Sequence, residues 1–201
     1  MEEIVMDADT KVQVEQWEEF YQKVFGIEVD FSELHIPEKQ EGFDRLIIVA
    51  QGIIAQNAYD KCSELFLCQK WSDDLIRKWS DTMVETGSER DATNGVYAVW
   101  VRDRVEADEE LCRFSFDDLK EHGIPGITLE ERLLYELKYF NETGEHLDRE
   151  SITLCSGSHI IYLVPIVRWY KYEQSDDGGL EVDDFSPGRR FRRIRARQVV
   201  C

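Results

Sequence analysis

Three short stretches of the chain hold residue types that could do chemistry. In VEADEEL, Glu106 stands three and four residues before Glu109 and Glu110, with Asp103 just upstream. Carboxylates at that spacing share one face of a helix, and a buried pair at the right separation can act as general acid and base. In a chain with 42 acidic residues, chance clustering is the simpler account, and we read the run as a solvated face. In CSGSH, Cys155, Ser156 and Ser158 lie beside His159, a set that could supply a nucleophile and its base. The strand–elbow–helix setting of such a nucleophile is missing, and a structural turn explains the stretch more simply. In PGRRFRRIRAR, six arginines between Arg189 and Arg197 surround Phe191, a mixture suited to phosphate contact and base stacking. The net charge of −18 repels a polyanion, so we favour a strand whose arginines pair with acids of the same chain. Nucleic acid is disfavoured as a partner.

The elements that would position these residues follow from periodicity. VEQWEEFYQKVFG carries an apolar stripe of Val14, Trp17, Phe20, Val24 and Phe25 and stops at Gly26, which predicts a helix. RLIIVA (45–50) has the length and β-branching of a buried strand, and NAYDKCSELF returns to helical spacing through Tyr59, Cys62, Leu65 and Phe66. The polar ETGSERDATNG (85–95) reads as an internal boundary. Beyond it, VYAVWVRDR predicts a strand. ITLEERLLYELKYFNETG then predicts a helix, capped by Thr128 with Glu131, faced by Leu129, Leu133, Leu137 and Phe140, and ended by Gly144. From Ile152 the period drops to two, with turns at Ser156-Gly157, Asp176 to Gly179 and Ser186-Pro187-Gly188. Three or four short antiparallel strands are expected there. Helices followed by strands give an α+β fold class, with an N-terminal extension over 1–90 and a main domain over 91–201.

Composition narrows the class further. The 201 residues are 42% hydrophobic, enough for a packed core. No apolar run approaches the ~18 residues of a membrane span, and the acidic start MEEIVMDADTKVQ lacks the pattern of a signal peptide, so a cytoplasmic location is expected. Five scattered cysteines (Cys62, Cys68, Cys112, Cys155, Cys201) read as reduced thiols. The histidines (His35, His122, His146, His159) are isolated, and neither a metal nor a cofactor is expected.

Alternation assigns the C-terminal strands two faces. Val167 and Trp169 share one with Leu180 and Val182, while Ile166, Arg168, Tyr170 and Tyr172 share the other with Glu181, Asp183 and Phe185. In the last strand, Ile194 and Ala196 alternate with Arg195 and Arg197. The first face suits a core. The second is rich in Tyr and Arg, the residues most enriched at binding hot spots, although it could also pack under the N-terminal segment.

Several pieces together carry a resemblance. FDRLIIVA (43–50), YAVWVRDRVEADEEL (97–111), IPGITLEERLLYELKYFNETGEHLD (124–148), ITLCSGS (152–158) and IRARQVV (194–200) resemble a family of largely uncharacterised proteins encoded by small-genome, candidate-phylum bacteria. The last hundred or so residues also resemble the variable proteins of diversity-generating retroelements, which carry a C-type lectin-like domain. In those proteins a helix ending in a TGxHLD segment precedes a block where fixed residues alternate with hypervariable ones. The resemblance implies a variable block over about 156–197, scaffolded by Val164, Pro165, Val167, Trp169, Leu180, Val182, Ile194, Arg195, Ala196 and Arg197. It implies diversified positions at His159, Ile160, Ile161, Tyr162, Leu163, Ile166, Arg168, Tyr170, Tyr172, Asp183, Phe185, Arg190, Phe191, Arg192 and Arg193. Two departures stand out: HIIYL is apolar where such relatives carry a polar turn, and their usual tryptophan is replaced around Asp183 to Phe185. The calcium and sugar motifs of true lectins are absent.

The expected function is therefore non-catalytic binding of a protein or other macromolecule through the C-terminal surface. The alternatives are an enzyme with an acid or cysteine centre, or an acidic mimic of nucleic acid.

Overall fold

The structure, a computed structural model, describes residues 7–32, 34–70, 90–93, 95–159, 162–171 and 178–201. Helix α1 (Ala8–Phe20) starts where Asp7 accepts a bond from the Thr10 N–H at 3.0 Å. It continues as a π-helical turn (Tyr21–Phe25) and stops at Gly26, whose φ of 70° suits a residue without a Cβ. Two aromatic side chains lash this helix to strand β1 (Arg45–Val49). Trp17 donates to the Leu46 carbonyl at 2.9 Å, and Tyr21 donates to the Ile48 carbonyl at 2.8 Å. The expected apolar stripe is present, with Tyr21 added to it.

Helix α2 (Ala55–Leu65) and strand β2 (Cys68–Lys70) follow. Strand β3 (Tyr97–Val101) pairs antiparallel with β1. The acidic run does not form a helix. It is a loop closing in a 3-10 turn (Glu109–Leu111), so its helical spacing never places the carboxylates on one helical face. Next come α3 (Phe116–Glu121) and α4 (Leu129–Thr143). The capping box of α4 forms as expected: Glu131 accepts from the Thr128 N–H at 2.8 Å, and Thr128 accepts from the Glu131 N–H at 3.2 Å.

Strands β4 (Ile152–Leu154), β5 (Val164–Tyr170), β6 (Gly179–Phe185) and β7 (Ile194–Ala196) join β2 in a five-stranded sheet of order β2-β6-β5-β4-β7. The β4–β5 and β5–β6 pairs are antiparallel, whereas β7 runs parallel to β4. The all-antiparallel expectation is thus corrected at β7, because residues 186–193 cross the sheet before the strand begins. Strands β1 and β2 pair with β3 and β6, so the stretches before and after residue 90 share sheets as well as a core.

The five-stranded sheet is buried over one face and over part of the other. Val167, Trp169, Leu180 and Val182 pack with α1, α2, α4 and β1 in the larger core. On the other face Ile152, Leu154, Val164, Ile166, Ile194 and Ala196 form a second core under Leu111, Phe116 and Leu119. Each such side chain taken from water stabilises the fold by about 1.5–3 kcal/mol, so α3 is held by its apolar contacts rather than by intrinsic helicity.

One carboxyl opposes this packing. Glu130, in the first turn of α4, has its side-chain end buried, and burial pushes its pKa up to about 7. An acid raised above its unfolded value of about 4.3 contributes stability below that pH and loses it as pH rises through the folded value. Glu130→Gln should therefore stabilise the protein at pH 8 by roughly 2 kcal/mol and flatten the slope between about pH 4.5 and 7. Urea denaturation at four pH values across that range checks this. Equal slopes in the two proteins would contradict it.

Candidate functional site

A buried charge cluster centred on Asp148 sets the geometry of the C-terminal strands. Gly144 ends α4 with a φ of 73°, and the chain then turns so that Asp148 points inward, itself at a φ of 56°. Asp148 Oδ1 accepts from the Arg197 Nη2 at 2.7 Å and from the Ala107 N–H at 2.9 Å. Asp148 Oδ2 accepts from the Arg132 Nε at 2.9 Å and from the Thr153 hydroxyl. Its backbone N–H donates to the Val105 carbonyl at 3.1 Å, and its carbonyl accepts from the Trp169 N–H at 3.2 Å. One residue thereby joins α4, β4, β5, the end of β7 and the 104–107 loop. Burial alone would raise the Asp148 carboxyl, but Arg197 and Arg132, helped by Thr153, outweigh it and hold the group below its ordinary value.

His146 extends the cluster. Its Nδ1 lies 2.9 Å from Glu136 Oε1, while Glu136 Oε2 accepts from Arg132 at 2.8 Å. The imidazole stacks between Trp169, at 3.3 Å and 8°, and Phe140, at 4.9 Å and 16°. The GEHLD turn thus fixes the tryptophan that anchors β5.

Beyond this frame, the outer face of the sheet divides in two. Helix α3 covers β4, β7 and the Val164–Ile166 end of β5. The rest of β5, with β6, stays accessible and presents Arg168, Tyr170, Glu181 and Asp183. Arg168 donates to Glu181 Oε2 at 2.5 Å and lies over the Tyr170 ring at 4.6 Å. Register adds a second group. Ile194 pairs with Ile152, and Thr153 pairs with Val167, so residues 191–193 enter β7 at the same end of the sheet as Arg168 and Tyr170. There Phe191 is exposed, as are Arg192 and Arg193. Tyr162, the most exposed large hydrophobic among the described residues at 77%, lies at the opposite end.

The remaining expected surface residues are placed differently. Ile166 is not outward in the open sense: it is buried in the second core, because α3 covers its half of the face. Leu163 shares the parity of Val167 and packs half-buried against the larger core. Phe185 packs half-buried at the edge of the second core, under Arg189 at 4.9 Å. His159 lies against the Phe116 ring at 4.9 Å. Arg190 reaches back to Asp118, at 2.8 and 2.5 Å, and this guanidinium, with Ser115, holds the Asp118 carboxyl well below the usual range. Ile160, Ile161 and Tyr172 lie outside the described residues.

The acid and thiol candidates do not converge. Glu109 and Glu110 are exposed, the latter paired with Arg104 at 2.7 Å, while Glu106 accepts from the Ser151 N–H at 2.7 Å. Cys155 is fully buried, and burial pushes its thiol up, the reverse of nucleophilic activation. Among the described residues no group of three or more His, Cys, Asp or Glu is arranged to hold a metal ion, and no helix is long and apolar enough to cross a membrane.

Comparison with family models, curated proteins and solved structures finds no match to this chain. The feature that sequence patterning passed over is the Asp148 cluster. Its signal lay in Arg132 and Glu136, which sit beside Leu133 and Leu137 on a helix that has nine buried residues.

Proposed function

We propose that the chain is a non-catalytic ligand-binding protein with a C-type lectin-like domain, whose C-terminal surface is diversified by a retroelement and meets a protein or other macromolecule. One observation carries this: the residues that hold β5 to β7 and those that face solvent are different sets. Trp169, Val167, Leu180, Val182, Asp148 and Arg197 are buried, whereas Tyr162, Tyr170, Phe191, Arg192 and Arg193 are exposed. Changing the second set leaves the first in contact, which is what a diversified display surface requires. Tyr and Arg supply large contact area at modest entropic cost, so Tyr162, Arg168, Tyr170 and Phe191, together with Tyr172, provide most of the binding energy.

Sequencing the gene's surroundings tests the proposal. A neighbouring reverse transcriptase is expected, with a template repeat that differs from the coding block only at adenines. Those differences should fall in the codons of Tyr162, Arg168, Tyr170, Asp183 and Phe191 to Arg193. A complete locus with neither feature would overturn diversification.

A further inference from the structure

Among the described residues, every arginine outside positions 113 and 189–195 holds a carboxylate. Within those positions only Arg190 does, through Asp118. The pairing expected of the arginines in PGRRFRRIRAR is thus met at Arg190 and Arg197 and not at the others. Arg113, Arg189, Arg192, Arg193 and Arg195 have no carboxylate partner among the described residues. The chain carries 42 acidic residues against 24 basic ones, so a group of arginines without an acid is the reverse of what chance placement gives.

Backbone contacts gather this group. Cys112 pairs with Arg195, the Arg113 N–H donates to the Ile194 carbonyl at 3.3 Å, and the Cys112 thiol donates to the Arg192 carbonyl at 3.4 Å. Arg113 therefore stands beside the 192–194 segment. Its φ of 68° is left-handed, a conformation that an arginine adopts at a cost. Arg113, Phe191, Arg192 and Arg193 are all exposed, and the Arg193 guanidinium binds only the Glu150 carbonyl, at 2.9 Å. Arg189 lies over the Phe185 ring, and Arg195 is half-buried and donates to the Ala107 carbonyl at 3.3 Å, so neither joins the open set. Like charges gathered without a counter-ion repel one another, and an anionic partner removes that repulsion.

We propose that Arg113, Phe191, Arg192 and Arg193 bind an acidic segment of another protein, in which neighbouring carboxylates flank an apolar side chain. Each guanidinium can donate two parallel bonds to a carboxylate, and Phe191 offers the apolar contact. Acids at both margins limit how long the anion can be. Glu150 adjoins Arg193, and Asp117 Oδ2 stands 3.0 Å from where a Cβ on Gly188 would lie. Exposed charges act over about 8 Å at physiological salt. A short carboxylate run ends inside those margins, whereas a nucleic-acid strand runs past them into the field of a chain with a net charge of −18. The inference deepens the proposed function, because Phe191, Arg192 and Arg193 belong to its surface. It rests on that surface meeting a macromolecule and not on how the codons vary, so the gene locus and the binding test below can fail separately.

The probes are a blocked peptide, acetyl-Glu-Asp-Leu-Asp-Glu-amide, and its uncharged counterpart, acetyl-Gln-Asn-Leu-Asn-Gln-amide. Amide chemical-shift titration of the whole chain should show saturable shifts at residues 112–113 and 191–195 with the acidic peptide. The uncharged peptide should bind roughly fivefold to tenfold more weakly, and added salt should narrow the gap. Arg192→Gln with Arg193→Gln should weaken the acidic peptide roughly fivefold, whereas Lys11→Gln with Lys23→Gln, which removes the same charge from α1, should leave it unchanged. Arg113→Gly separates binding from folding. Glycine suits the left-handed backbone, so the melting temperature should hold or rise while the acidic peptide binds less tightly. Equal binding of the two peptides, equal effects of the arginine and lysine pairs, or no saturable shift at these amides would each overturn the proposal. Tighter binding of a short oligothymidylate at the same amides would overturn the choice of partner.

Discussion

Asp148→Ala is expected to destabilise the protein by about 3–5 kcal/mol, enough to consume a large part of the stability of a typical domain. The magnitude follows from what the substitution leaves behind. Arg132 and Arg197 are buried charges that share this carboxylate, at 2.8 and 2.7 Å. Without it both must stay desolvated without their shared counter-ion, or the strands must part to admit water. The Ala107 N–H and the Thr153 hydroxyl lose their acceptor as well. Asp148→Asn keeps the shape but not the charge and should cost less than alanine. The wild type carries a pH signature of the same cluster. An acid held below its unfolded value adds stability above that value and loses it as pH falls through the folded one. Acid unfolding should therefore be shallower in Asp148→Asn than in the wild type. Denaturant midpoints at neutral and acid pH check both statements, and an alanine variant within 1 kcal/mol of wild type, as an order of magnitude, would contradict them.

Gly157→Ala is expected to lower the melting temperature by roughly 6–12 °C, from a cost of about 3 kcal/mol in a chain of this size. The glycine lies in the turn between β4 and β5, and its N–H donates to the Ile127 carbonyl at 3.0 Å. An added Cβ would stand 2.5 Å from the Gly126 carbonyl oxygen and 3.0 Å from the Ile127 carbonyl carbon. Those neighbours are backbone just before α4, so no side-chain rotation relieves the clash. Gly95→Ala is the matched control: a Cβ there meets nothing within 4 Å, and its effect should stay below about 2 °C. Thermal unfolding of the two variants separates a steric requirement from a general loss of backbone freedom. Equal shifts would contradict the steric explanation.

Much of the frame was readable from residue types alone. The Thr128 and Glu131 cap, the Gly144 stop and the Val167 and Trp169 face all depend on neighbours in sequence, and the chain folds as those local rules dictate. The second core was not readable. Its cover is a six-residue helix, too short to show a period, so nothing marked Ile166 as different from Arg168 on the same face. The parallel entry of β7 depends on where residues 186–193 cross, a tertiary matter. The Asp148 cluster was hidden for another reason: arginine and glutamate in a helix read as surface, and only long-range pairing makes their burial tolerable. Of the surface itself, exposure at Tyr170 followed from alternation and that at Tyr162 and Phe191 was implied by the resemblance alone, while the inward packing of Leu163 came from a parity that the HIIYL run obscured.

A solvent-facing set of residues that can vary over a buried frame that cannot is the core of the proposed function. It is tested most directly by one combined variant, Tyr162→Ser with Tyr170→Ser, Phe191→Ser and Arg192→Ser, melted beside Asp148→Asn and the wild type. The four exposed changes together should move the melting temperature by no more than about 4 °C, with unfolding still cooperative, whereas the single buried change should move it further. A combined variant that unfolds well below Asp148→Asn, or loses its cooperative transition, would show that these residues hold the fold rather than face a ligand.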